Sequence, residues 1–149
     1  MNFWLEAGVV IVQLAAVFLG AYLGVKSAVS IENFKKDREI KEKMLGQIYE
    51  PIWKIFFQEY VKSKGYKGLT KNDYKLIREV VNNSLSYIDP EFEDMIIRND
   101  LILESIELWG ITDVLLDHDG ELYKYVRTKY NELRKDLKLP HFNEYRISK

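Results

Sequence analysis

Ala7-Gly8-Val9-Val10-Ile11-Val12-Gln13-Leu14-Ala15-Ala16-Val17-Phe18-Leu19-Gly20-Ala21-Tyr22-Leu23-Gly24-Val25 is a run of nineteen residues without a charge, and Gln13 is its only strongly polar member. A helix rises 1.5 Å per residue, so the run spans about 28 Å, close to the hydrocarbon thickness of a bilayer. A cleaved secretion signal has a basic leading segment and a shorter apolar core. Here no Lys or Arg precedes the run, and Glu6 does. The segment therefore reads as a retained membrane anchor over residues 1–25. Trp4 is placed for one headgroup layer, Tyr22 and Lys26 for the other.

The flanks set the orientation. Lys26, Lys35, Lys36, Arg38, Lys41 and Lys43 all follow the run. Basic residues stay on the cytoplasmic side, which predicts an inner-membrane, single-pass protein with its C-terminal part in the cytoplasm. Within the span, Ala16, Gly20, Gly24 and Ala28 recur every four residues and line one helix face. Small residues at that spacing let two helix backbones approach, and a mid-membrane carboxamide such as Gln13 needs a partner. Gln13, Ala16, Gly20 and Gly24 are thus the candidate self-association residues.

Composition bounds the rest. The chain has 149 residues, is 47% hydrophobic and 30% charged, carries net charge −1 and contains no cysteine. This excludes a disordered chain, a strongly basic nucleic-acid binder, disulfides and thiolate chemistry. Residues 26–43 are highly charged and lack Gly and Pro, with Glu32–Lys36 and Glu39–Lys43 at helical pair spacing. They read as a helical stalk.

Residues 44–149 show four helical patterns. Ile40, Met44, Ile48, Ile52 and Ile55 form one stripe, interrupted by Pro51, where a kink or helix restart is expected. Thr70 and Asp73 form a capping arrangement ahead of Tyr74, Ile77, Val81, Leu85 and Ile88. Asp89-Pro90 opens a helix bearing Phe92, Met95, Ile96, Ile102, Ile106 and Trp109, broadened by Ile97, Leu101 and Leu108. An apolar arc so wide predicts the central helix of a bundle. After a turn at Asp117–Gly120, Leu122, Val126, Tyr130, Leu133 and Leu137 define a last helix that Pro140 stops. The fold class is all-α: a transmembrane helix, a charged helical stalk and a cytoplasmic bundle of four or five helices.

Chemistry-bearing motifs are sparse. Asp117-His118-Asp119-Gly120-Glu121 groups carboxylates with an imidazole, but the spacing fits neither a calcium loop nor a zinc-protease helix, and the segment reads as a turn. No metal site and no cofactor are expected. Trp53, Phe56, Phe57 and Tyr60, and then Tyr123, Tyr125 and Tyr130, read as core or interface aromatics. Acidic and basic residues balance from Lys26 onward, so no nucleic acid is expected as a partner.

Two segments carry resemblances. Arg134 and His141, six residues between them, resemble the Arg-x6-His signature of HEPN ribonucleases, whose Arg and His from two protomers cleave RNA without a metal. Lys135 and Pro140 depart from that pattern. Leu45-Gly46-Gln47-Ile48-Tyr49-Glu50-Pro51-Ile52-Trp53 resembles the juxtamembrane segment of uncharacterised small single-pass proteins from bacterial and prophage genomes. That resemblance covers about residues 1–60 and implies a tethered helical layout without assigning active residues.

The functional expectation is a self-associating, membrane-anchored interaction module that recruits or senses a cytoplasmic protein partner, with the bilayer and a second copy as further partners. The alternatives are an oligomeric pore-forming effector of a bacterial antiviral-defence or cell-killing system and, third, a HEPN-like ribonuclease. An enzyme is the less favoured class.

Overall fold

The computed structural model describes residues 3–111 and 114–142, with side chains described for residues 8–9, 12–111 and 114–142. The described chain is helical. Five α-helices follow in order: α1 (Phe3–Met44), α2 (Glu50–Lys62), α3 (Lys71–Asn82), α4 (Pro90–Trp109) and α5 (Glu121–Asp136). A π-helical turn, Leu45–Tyr49, joins α1 to α2, and a 3-10 turn, Leu85–Tyr87, lies between α3 and α4. The chain divides into two compact units, with the boundary between Ile40 and Lys41.

In the first unit, one helical segment is long and apolar enough to cross a membrane. Every described side chain from Val12 to Ile40 is exposed, including Phe18 at 73% and Val17 at 68%. The expected Glu32–Lys36 pair forms at 2.8 Å.

In the second unit, Pro51 produces the expected restart without a break in helical backbone. Glu50 donates to the Leu45 carbonyl in the wide i→i+5 pattern, and α2 opens with Pro51 in its first turn. Proline lacks a backbone donor, so the wide turn placed before it lets the chain stay helical. That turn is the centre of the unit. It contacts α2, α3 and α5, and Ile48 and Tyr49 are fully buried in it.

Local capping sets the helix ends. The Thr70 hydroxyl accepts from the Asp73 amide at 3.2 Å, and the Asp89 carboxylate accepts from the Phe92 amide at 3.0 Å, as their spacing predicts. Helix α5 ends at Asp136, four residues before Pro140. Lys138, in the left-handed region at φ 59°, donates to Lys135, and Leu139 donates to Arg134 at 2.8 Å, closing the terminus without proline.

Two sequence expectations need correction, on α4 and on Leu85. Helix α4 is not central: Ile97, Leu101, Leu108 and Trp109 are 47%, 58%, 79% and 75% exposed, and only one side of the helix, with Phe92, Ile96 and Ile106, is buried. The wide apolar arc is two separate faces. Leu85 is also exposed, because α3 stops at Asn82 and the 3-10 turn rotates it off the Tyr74–Ile77–Val81 stripe. Phe57 and Tyr60 point outward on α2, whereas Phe56 is fully buried.

One short backbone pairing ties the two loops of the unit together. Leu69 and Leu116 form an isolated antiparallel bridge, with N···O distances of 2.7 and 2.9 Å. Gly68, at φ 124°, permits it: a Cβ there would lie 2.9 Å from both Leu115 Cβ and the Leu116 carbonyl oxygen.

Candidate functional site

The polar groups of the second unit fall into clusters, and their partners show what chemistry each can do. The Asp117-His118-Asp119-Gly120 segment is a turn, closed by a Gly120-to-Asp117 bond of 2.9 Å. Asp117 is 3% exposed and has φ 50°. Its carboxylate accepts from the amides of Leu122 at 2.8 Å and Tyr123 at 3.0 Å, and from the Tyr66 hydroxyl at 2.5 Å. Its own amide donates to the Asn99 side chain at 2.9 Å. Asp117 therefore caps α5 from outside the helix and holds three segments together. Burial outweighs the three donors and raises its carboxyl above the usual range. Among the described residues no group of three or more His, Cys, Asp or Glu is arranged to hold a metal.

A second cluster lies at the start of α4. Asp89 caps that helix and also accepts from the Tyr125 hydroxyl. The Tyr49 ring stacks on Phe92, which stacks on Tyr125 in turn. Burial, followed by the hydrogen bond to Asp89, pushes Tyr125 far up; burial does the same to Tyr49. These hydroxyls stay protonated and cannot act as bases at neutral pH.

An open groove of about 810 Å³ runs between α4 and α5 beside Tyr125. Its lining mixes acids and bases, which form two pairs, one across the helices and one along α5. Arg98 pairs with Glu121 at 2.8 Å, and Lys129 lies 3.7 Å from Glu132. Such a mixed lining presents no strong field of one sign to a small ligand.

The aromatic residues are packed on one another. Trp53 stacks on Tyr123 and Tyr130 at 6.0 and 5.6 Å, and Tyr66 stacks on Tyr123 at 4.4 Å. Each of these four rings gives at least one of its faces to another ring, a face that stacking on a base would need.

The remaining sequence-derived candidates fall as follows. Gln13, Ala16, Gly20 and Gly24 lie exposed on α1, and nothing approaches within 4 Å of a Cβ added at either glycine. Tyr22 and Lys26 are exposed on the same helix. The Trp4 side chain lies outside the described side chains. Arg134 sits in the last turn of α5. Its guanidinium donates to the Tyr130 hydroxyl at 2.9 Å and to the Pro140 carbonyl, and it covers the Tyr130 ring. His141 follows the helix end, with its Nδ1 3.2 Å from the Leu139 carbonyl.

What the sequence reasoning missed is the outward face of α4. Its signal was present: Ile97, Leu101 and Leu108 are spaced by four and seven residues, out of phase with Phe92, Ile96 and Ile106. No family model, curated protein or solved structure matches the chain.

Proposed function

We propose that this protein is a membrane-anchored, self-associating helical interaction module. Residues 1–25 would cross the inner membrane with the N-terminus outside, residues 26–43 would form the stalk, and the helices from residue 44 onward would work in the cytoplasm. The observation that carries the reading is the exposed apolar face of α4, with Leu101 at 58% and Leu108 at 79% exposure. Exposed apolar surface of this kind marks interaction sites. Supporting it, the buried acids and tyrosines are engaged in helix capping and ring packing.

The test uses the full chain expressed in bacteria. Retention in carbonate-washed membranes, extraction by mild detergent and a mass of two or more copies in lipid nanodiscs are the expected results. A chain released by carbonate, or a single copy in nanodiscs, overturns the reading. Ion conductance of liposomes carrying the purified protein would replace the module with the pore-forming effector.

A further inference from the structure

Two outward faces of the second unit are apolar at their centres and opposite in charge at their edges. On α4, Ile97, Leu101 and Leu108 are exposed on the side away from the buried Phe92 and Ile96. That helix carries six acids and a single basic residue, Arg98. Glu93, Asp94 and Glu104 flank the stripe and make no ion pair among the described residues.

On α2, Phe57 and Val61 are 54% and 60% exposed on the side away from the buried Ile52 and Phe56, and Tyr60, 47% exposed, borders the buried side. The helix itself is neutral, with two acids and two lysines, and the excess of positive charge lies just past its end. Lys54 and Lys62 are matched locally by Glu50 and Glu59. Lys64 and Lys67, just past the helix, are exposed and make no ion pair among the described residues.

We propose that the outer face of α4 docks on the outer face of α2 in a second copy of this chain. Pairing α4 with α4 sets acids against acids, and pairing α2 with α2 leaves Lys64 and Lys67 without acids; the crossed pairing joins apolar centre to apolar centre and offers those two lysines to the unpaired acids of α4. Both faces belong to the same unit, so each copy offers one of each. Such a crossed pairing either closes as a two-fold dimer, in which α4 meets α2 twice, or runs on head-to-tail into rings or open chains. This rests on the self-association proposed above and names the surface that performs it outside the membrane span.

The absence of cysteine makes the test direct. Val61→Cys and Leu101→Cys are introduced together in the full chain, both at exposed positions, and membranes are treated with a short bis-maleimide. A ladder of two or more copies is expected from the double variant, and none from Leu101→Cys alone or from Leu101→Cys paired with Glu79→Cys on α3. Asp94→Lys with Glu104→Lys should reduce the ladder at least tenfold, and adding Lys64→Glu with Lys67→Glu should restore it.

Dimers from Leu101→Cys alone, or its cross-linking to a different protein, overturn the crossed pairing. So does the absence of any ladder in a chain that nanodisc mass shows to be oligomeric, since self-association would then stand without this surface. A single copy in nanodiscs overturns the parent reading as well.

Discussion

The Tyr66 hydroxyl donates to the Asp117 carboxylate at 2.5 Å, although 51 residues separate the two in the chain. The bond joins the loop after α2 to the turn before α5, beside the Leu69–Leu116 bridge. Asp117 serves both the helix and the loop contact, so its loss should be felt by the whole unit.

Asp117→Ala removes three accepted hydrogen bonds and places alanine at φ 50°. The expected cost is about 2–4 kcal/mol, with Asp117→Asn costing about half, because asparagine keeps one acceptor and tolerates the left-handed region. Near-ultraviolet circular dichroism of the stacked rings during thermal unfolding in mild detergent reads the difference. Equal stability of Asp117→Ala and the parent chain would contradict the capping role.

Gly68 and Gly110 both have positive φ, yet they differ in space. A Cβ at Gly68 meets Leu115 and Leu116 at 2.9 Å, whereas nothing lies within 4 Å of one at Gly110. Gly110→Ala should cost about 1 kcal/mol, the dihedral penalty alone. Gly68→Ala should cost at least twice as much, about 2–3 kcal/mol, because it also forces the bridge apart. The same melting experiment compares them directly.

The pH dependence has two opposing parts. Burial raises the Asp117 carboxyl, so the folded chain holds that proton more tightly than the unfolded chain. Its favourable contribution is complete below the unfolded value of about 3.9 and is lost as pH rises through the folded value. Hydrogen bonds from Lys71 and Lys75 lower Glu107, and a backbone hydrogen bond from the Glu121 amide lowers Asp119. Their contributions are present above the unfolded values of about 4 and are lost as pH falls through the folded ones. Acidification from pH 7 to 4 should therefore stabilise the parent chain relative to Asp117→Asn. The parent's advantage over Glu107→Gln should shrink as pH falls below 4. Parallel curves for parent and variant in either comparison would contradict the assigned shift.

Gly20 and Gly24 present an open helix face. Replacing both with leucine should lower the oligomer mass in nanodiscs if two spans meet there, since leucine keeps the backbones apart. An unchanged mass would leave self-association to surfaces outside the span.

Much of the helix layout was legible because its signals are local. Thr70 caps through the amide of Asp73, and Asp89 through that of Phe92, each three residues away. Pro51 acts on its own turn. The buried stripe Tyr74, Ile77 and Val81 follows helical spacing and needs no partner to be recognised. Phe56 and Phe57 are adjacent and chemically identical, yet only one is buried. Periodicity within a helix ranks faces by apolar content, and on α2 and α4 two faces are apolar.

The sequence by itself determined that the chain is helical, that one segment is long and apolar enough to cross a membrane, and where α3 and α4 begin. Each depends on residues within a few turns of one another, so composition and spacing suffice. Only the tertiary structure decided which side of α4 is core, that Asp117 is a buried cap and that Gly68 must be small. Those properties belong to contacts between residues about 50 positions apart, such as Tyr66 with Asp117 and Leu69 with Leu116. The energy of such a contact exists only once the loop between its partners has closed.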